Sequence, residues 1–462
     1  MADTNVTRPI RILICDLIGL RFDAEGCPDH SELRAYIAEK GGVFHEDALE
    51  RDGDLPPGLH FFYQPHLSSR DELIAAAGEG QYDAVIAAAT VLPAETVFPL
   101  GGVRIGAGTG NMGSRSWGGG TGEGGEAPLM NTPGINSRAT AQMAMKAILK
   151  VLPDLPVDWL DALVSTGDFD TGRQLRDFPT EKLDGKRIGI IGYGNIGREL
   201  AKLARAFGME VVIHARPRHR DAIEAEGFLH AETPLAAAAG AAVLSVHVGL
   251  GSLDPLTKRY ANAGLVDAAL LNALADGAVL VNYDRGELVD VEALGAALAS
   301  GKVRHAAIDA DLFRDAATGA LSGPMLPYLA LVEAHGERLE LLPHAAADTD
   351  HPSRVAGARQ AVDQIVDAIV HRRVVNRKGT LPEGYTDGGA KRPPGIGPVC
   401  LDPLFADRAA LEELSALARE QVNLLTRLGA GALPQEDARR LVRLMTLYRT
   451  RLERHHLTGP AA

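Results

Sequence analysis

The sequence predicts an α/β protein, with parallel sheets covered by helices and a pair of helices added at the C-terminal end. Three observations lead there. Short β-branched apolar runs alternate with helix-like stretches from residue 10 to residue 309. A strand–glycine turn–helix unit stands near the middle of the chain. Beyond residue 405 the strand pattern stops, and apolar residues recur at helical spacing instead. Strands that alternate with helices favour a parallel sheet with helices on its faces.

At 462 residues the chain is too long for one ordinary core. Its 46% hydrophobic and 23% charged residues are normal for a globular protein in water. A formal net charge of −13 opposes a general binder of nucleic acid or of anionic membranes. Cys15, Cys27 and Cys400 lack metal or redox-pair spacing, so neither a disulfide framework nor a metal site is expected. The start, MADTNVTRPI, has no basic segment followed by an apolar core, and no apolar run reaches spanning length. A cytoplasmic enzyme or binding protein fits these bounds.

The elements follow in order. IRILIC (10–15), YDAVIAA (82–88) and VRIGAG (103–108) read as buried strands, with helix-like stretches such as HSELRAYIAEKGG between them. GSRSWGGGTGEGGEA (113–127) is loop by composition. It reads as a flexible surface insert, or as a mobile lid with Arg115 or Trp117 on the substrate. RATAQMAMKAILKVL (138–152) is helix-like. A second series follows: RIGIIG (187–192), EVVIHA (210–215), AVLSVHV (242–248), AVLVNY (278–283) and VRHAAID (303–309). Ser353 to Val370 reads as a further helix. Residues 377–405, rich in Gly and Pro, read as a linker. After them Leu411, Leu414, Ala418, Leu425 and Leu428, then Ala438, Leu441, Met445, Tyr448 and Leu452, mark the two arms of a helical hairpin over 406–462.

The stretch KRIGIIGYGNIGRELAKLARAFGMEVVIHA (186–215) is the most informative. Gly192 permits a tight turn, Gly194 lets a pyrophosphate approach the backbone, and Gly197 lets helix and strand pack closely. Asn195 and Ile196 open the helix, whose free N–H groups and positive end suit phosphates. Strand, helix and second strand are all present, so the unit reads as dinucleotide-binding, with a purely structural turn as the alternative. The second strand ends in HARPRHR (214–220). An acid is expected there to hold the ribose hydroxyls of NAD, yet no Asp or Glu occurs from Val211 to Arg220. Arg216, assisted by Arg218, His219 or Arg220, suits a 2′-phosphate, since a guanidinium pairs with phosphate bidentately. NADP(H) is therefore preferred to NAD(H). The alternative is that these side chains simply face water.

The next motifs resemble those of the D-2-hydroxyacid dehydrogenases, the family of phosphoglycerate dehydrogenases and glyoxylate/hydroxypyruvate reductases. SVHVGL (245–250) is similar to its H-V-P-L strand end, and VLVNYDRGELVDVEAL (279–294) to its N-x-x-R-G-x-x-V-D-x-x-A-L signature. GKVRHAAID (301–309) and LLPHAAADT (341–349) resemble two further segments, as do RIGAGTGNMG and NTPGINSRATAQ upstream. The resemblance covers about residues 100 to 370. It implies two doubly wound, Rossmann-like domains with a cleft between them. Residues 1–134, completed by 346–376, would form the substrate domain, and 135–345 the dinucleotide-binding domain. It also implies a homodimer and a small 2-oxo or 2-hydroxy acid as substrate. Arg285 would clamp the substrate carboxylate, and His344 would carry the proton of the carbonyl oxygen. His247, Tyr283 and Asp309 would complete the cofactor contacts, Asp309 at the nicotinamide carboxamide. Backbone N–H groups at Ala107 and Gly108, with Asn111 close by, would meet the substrate.

The resemblance breaks at several places: Gln142 stands for the usual Glu, Gly110 and Gly113 replace two Asp, the glycine-rich loop is longer, and the most telling departure lies after Asp309. Five residues after Asp309, where the family places a Glu that holds the catalytic His, stands Arg314. Asp315 or Asp311 fills that role if the loop is shifted. Arg314 either faces water or meets an extra anionic group on the substrate, such as a phosphate, phosphonate or second carboxylate. The expectation is an NADPH-preferring reductase of a small 2-oxo acid. Its rivals are an NAD-dependent dehydrogenase working oxidatively and a dinucleotide-sensing interaction protein of the corepressor type.

Overall fold

The computed structural model describes residues 6–22, 24–25, 27–49, 54–153, 156–177, 180–254, 256–257, 259–315, 318–344, 351–390, 408–429, 431 and 434–458, the last ten by backbone alone. The chain divides into two compact units, 1–135 with 354–462, and 136–353.

The first unit is built on β1 (Pro9–Ile14), β2 (Gly42–His45), β3 (Gly58–Tyr63), β4 (Ala84–Ala87), β5 (Gly101–Arg104) and β6 (Leu129–Asn131). They pair in parallel in the order β6-β5-β4-β1-β3-β2. Sheets of this kind are covered on both faces, which is why β4 reads as an unbroken apolar run and β1 as one interrupted only by Arg11. Along β1 the side chains alternate between two cores: Ile12 and Ile14 face one, Leu13 and Cys15 the other. The expected strand over 103–108 begins earlier and ends at Arg104. Gly106, at φ +117°, turns the chain away there and leaves Ala107 and Gly108 exposed. Strands β2, β3 and β6 had no expectation. β6 is only three residues long, and GLHFFY in β3 lacks the β-branched signature of a strand.

The glycine-rich stretch 113–127 is neither a loose insert nor a lid. Trp117 is 1% exposed, stacks on Phe98, and donates its indole N–H to the Met112 carbonyl at 2.8 Å. The Ser114 hydroxyl donates to the Thr96 carbonyl at 2.6 Å. The glycines serve close backbone packing: a Cβ on Gly125 would lie 2.2 Å from the Ser116 carbonyl oxygen. Composition signalled the loop, but not that one buried indole would anchor it.

The second unit carries β7 (Arg187–Ile191), β8 (Glu210–His214), β9 (Leu229–Ala231), β10 (Val243–Val246), β11 (Ala278–Asn282), β12 (Val303–Ala310) and β13 (Leu339–Pro343). All seven are parallel, in the order β9-β8-β7-β10-β11-β12-β13. The order reverses direction between β7 and β10. That is the topological switch point, where open α/β sheets bind ligands at the carboxyl ends of their strands. Helices α1 (Ser137–Val151) and α2 (Asn195–Ala206) pack on one face of the sheet, burying Ala144, Ile148, Leu200 and Ala204 with Ile188 and Ile190.

The chain returns to the first unit through α3 (His351–Val370), whose Ala361 and Ile365 join the Ile12 core. The expected linker then gives way over 377–390. Arg377–Lys378 forms β14, antiparallel to β6, with Arg377 opposite Met130. Turns rich in Gly and Pro mimic a linker by composition, while two residues of pairing suffice to join a sheet. Residues 391–407 lie outside the described residues. The hairpin is present as α4 (Arg408–Gly429) and α5 (Gln435–Thr458). Ala410 and Leu414 bury against Tyr448, and Arg427 pairs with Asp437 at 2.5 Å.

Candidate active site

In the second unit every candidate residue stands at or just beyond the carboxyl end of a strand. At the end of β7, Gly192 adopts φ +108° and its N–H donates to the His214 carbonyl at 2.8 Å. A Cβ there would meet the His247 carbonyl oxygen at 2.0 Å, and one on Gly197 would meet the Gly192 carbonyl oxygen at 2.2 Å. Around Gly194 nothing lies within 4 Å of such an atom. The turn is thus tight where strand and helix meet, and open where a ligand would pass. Gly194 caps α2 without a side-chain hydrogen bond, and Asn195 and Ile196 are half-buried on its first turn. These uncapped amides at a positive helix end fit a pyrophosphate. Behind the turn, Tyr193 donates to Glu226 at 2.5 Å, and Arg198 and Glu226 form an ion pair.

At the end of β8, Ala215 is 9% exposed and offers no carboxylate. Arg216 is exposed, and its guanidinium has no partner among the described residues. Arg218 is exposed too and, among the described residues, meets only the ring of His219, at 3.4 Å. Arg220 is neutralised by Glu224 at 3.0 Å and Glu232 at 2.7 Å. The run HARPRHR therefore holds two arginines free of acidic partners among the described residues and one that is tied down.

His247, beyond β10, is buried and shares a hydrogen bond with the Ser245 hydroxyl at 2.8 Å. Burial pushes its pKa down to about 3, so the ring is neutral. Tyr283, after β11, is buried in the core and donates its hydroxyl to Glu340 at 2.9 Å, itself paired with Lys150 at 2.7 Å. Its side chain is thereby committed within the unit.

Arg285 follows two residues later. The side chain of Asn282 holds the Arg285 carbonyl at 2.8 Å and so fixes the turn. Its guanidinium pairs with neither Asp284 nor Asp290. Asp290 instead caps the next helix through the Ala293 N–H at 3.1 Å. On the neighbouring strand ends, the Nδ1 of His344 meets Asp309 Oδ1 at 2.6 Å. This hydrogen bond raises the pKa of His344 above its ordinary value, against the opposing effects of burial and of Arg285.

The partner of His344 is thus Asp309, not Asp315. Asp315 is exposed and closes its own turn, accepting from the Thr318 N–H at 2.6 Å and hydroxyl at 2.7 Å. Arg314 is exposed on a two-stranded ribbon, Phe313–Arg314 with Leu321–Ser322, and has no partner among the described residues. Asp284 had no assigned role. Its carboxyl is held up at about 6 by burial, with Asp309 adding to the effect and Arg285 and His344 opposing it. The signal was in view: an acid immediately before the arginine of N-x-x-R-G.

In the first unit, the exposed N–H groups of Ala107 and Gly108 have no acceptor among the described residues, and the Ala107 carbonyl is held by Asn131 at 2.6 Å. Asn111 is committed locally, donating to the Ala88 carbonyl at 3.1 Å and the Thr90 carbonyl at 2.8 Å.

Residues 156–318 match the model of the D-isomer specific 2-hydroxyacid dehydrogenase NAD-binding domain. The chain is 44% identical over 128 residues to an erythronate-4-phosphate dehydrogenase of Salinibacter ruber, covering 28% of this chain and 31% of that protein. It is 34% identical over 186 residues to a glyoxylate reductase of Thermococcus litoralis, covering 39% and 52%. It is 32% identical over 182 residues to a D-3-phosphoglycerate dehydrogenase of Haemophilus influenzae, covering 39% and 40%. The chain thus matches about half or less of the length of these three relatives. Among solved structures, a glyoxylate reductase from Paecilomyes thermophila superposes with a TM-score of 0.52 at 20% identity, over 80% of this chain and 98% of that one. A 2-hydroxyacid dehydrogenase-like protein from Polaromonas gives 0.52 at 21%, over 78% and 96%. At such identities the structures establish the fold alone. Among the described residues, no helix is long and apolar enough to cross a membrane and no cluster could hold a metal ion.

Proposed function

The chain belongs to the D-isomer-specific 2-hydroxyacid dehydrogenase family, and from that premise we propose that it reduces a small 2-oxo acid to the 2-hydroxy acid with NADPH. The observation that carries this reading is the pair His344–Asp309, at 2.6 Å, beside a guanidinium that no described side chain occupies. The cofactor supplies the hydride when bound. The chain's own residues do the rest. Arg285 holds the substrate carboxylate and polarises the neighbouring carbonyl. Asp309 occupies Nδ1 of His344, which leaves Nε2 to carry the proton to the carbonyl oxygen. The raised pKa favours the protonated ring, which suits reduction.

Arg314, exposed and unpaired among the described residues, supports a substrate with a further anionic group. The phosphate in the names of the erythronate-4-phosphate and phosphoglycerate relatives accords with that reading. We place the enzyme in the cytoplasm as a homodimer, on the family likeness.

Preference for NADPH follows from Arg216 and Arg218. Titration with NADPH and NADH, followed by nicotinamide fluorescence, is expected to show tighter NADPH binding. Arg216→Ala should weaken NADPH by about 10- to 100-fold, the worth of a charge-assisted pair, and leave NADH nearly unchanged. Equal affinities in the unaltered protein would return these arginines to solvent and favour NAD. Turnover with glyoxylate, hydroxypyruvate and 3-phosphohydroxypyruvate then ranks the substrates, and no reduction of any of them would overturn the reductase reading.

A further inference from the structure

We infer that the helical hairpin joins two copies of this chain, face to face, as an antiparallel four-helix bundle. The inference stands apart from the enzymatic reading and rests on the apolar pattern of α4 and α5. Each helix carries two apolar stripes. The first closes the hairpin itself: Leu414 and Leu424 of α4 and Leu441 of α5 are buried. Gln421 donates to the Leu444 carbonyl at 3.0 Å, and Arg427 and Glu420 pair with Asp437 and Arg440. These contacts set the two helices antiparallel, with residue 421 at the level of residue 444.

The second stripe is open. Val422 and Leu425 of α4, and Val442 and Met445 of α5, are 48–64% exposed. At about 3.6 residues per turn they lie about 90° round from the buried stripe, in the same rotational sense on both helices. Since the helices run in opposite directions, both open stripes fall on one side of the hairpin. Single apolar residues on a surface are ordinary, but four in line across two helices form a continuous face.

A second identical hairpin fits that face in size and in charge. α4 has 22 residues, so the face is about 33 Å long. Two helices packed about 8–10 Å apart make it roughly 20 Å wide. Covering it on both copies removes about 1,300 Å² from water, within the range of about 1,200–2,000 Å² for stable interfaces. Charge then selects the arrangement. α4 balances three arginines with three glutamates, whereas α5 carries six arginines against three acids. A two-fold axis across the helices would lay arginine-rich α5 along its own copy. An axis parallel to them lays α5 along α4 of the other copy, the pairing that Glu420 and Arg440 already make within one hairpin. That rotation keeps the levels, so Val422 of one copy meets Met445 of the other.

Cysteine cross-linking in the full chain tests this, with Cys27→Ser and Cys400→Ser as background and Cys15 left in place because it is buried. Chains carrying Val422→Cys and chains carrying Met445→Cys are co-expressed and treated with a short bismaleimide. Covalent dimer, read on a denaturing gel, is expected from the co-expressed pair and not from either variant alone. Since the two cysteines sit on different chains, such a dimer reports contact between copies. Leu425→Cys with Val442→Cys is a second reporter pair, about one turn along, and serves if a variant of the first pair melts early. Asn423 is exposed on the far side of α4, so Asn423→Cys should give no dimer with Met445→Cys. Absence of covalent dimer from both reporter pairs, in variants that melt like the unaltered chain, would overturn the inference and leave the face to the chain's own body or to another protein. Equal yields with Asn423→Cys would reduce the cross-link to chance collision and overturn it as well. Dimer from one variant alone would overturn the arrangement that charge selects.

Discussion

Replacing His344 with alanine is expected to lower kcat by about 10²- to 10⁴-fold, the span for a lost general acid, while NADPH binding persists. Stopped-flow reduction and cofactor titration on the same preparation separate the two effects. A variant that keeps both would shift the protein toward a dinucleotide sensor. The histidine also predicts a pH profile. Its pKa is raised chiefly by the hydrogen bond to Asp309, whereas burial and Arg285 pull it down. Reduction uses the protonated ring, so its rate should fall as pH rises through that raised value. In Asp309→Asn burial and Arg285 remain, opposed only by the smaller effect of Asp311, and the alkaline limb of kcat/KM should move to lower pH. An unmoved limb would mean that another group reports the titration.

Arg285→Ala should cost about 10²- to 10³-fold in kcat, as for a lost transition-state donor, together with a raised KM. The guanidinium forms no ion pair among the described residues, so its removal breaks none, and the nearby Asp284 carboxyl, whose pKa Arg285 lowers, takes up a proton more readily instead. The loss should therefore be one of chemistry and not of folding. Arg285→Lys should recover little, because a point charge cannot copy the planar fork. Exogenous guanidine should restore part of the activity to the alanine variant. If it does not, and thermal melting shows a damaged fold, Arg285 is a structural strand-end residue.

Much of this was legible in the sequence because each reading rested on a local rule. A β-branched run ended by Gly192-x-Gly194-x-x-Gly197 needs only neighbouring residues to be understood, and a side chain on Gly192 or Gly197 would indeed collide with backbone. That no acid ends the second strand was likewise plain, and Arg216 and Arg218 stand exposed there. What escaped was pairing at a distance. Asp309 and His344 are 35 positions apart, and spacing alone cannot tell whether a carboxylate faces a cofactor or a histidine. The anchored glycine loop escaped for a similar reason. Fifteen residues of loop composition conceal one tryptophan whose partners, Phe98 and Met112, come from earlier in the chain. Strand β3 was missed because aromatic and aliphatic residues without β-branching fill a covered strand equally well.

The two-residue strand β14 closes the side of the first sheet that β6 would otherwise present to solvent. The three residues of β6, Leu129 to Asn131, are almost wholly buried. Without Arg377 and Lys378 their outward N–H and C=O groups would form an open, apolar template for another chain. Arg377 and Lys378 therefore cover an edge that would otherwise invite self-association. A chain shortened there should keep its dinucleotide unit yet aggregate through the first sheet, a liability measurable by light scattering before any loss of cofactor binding.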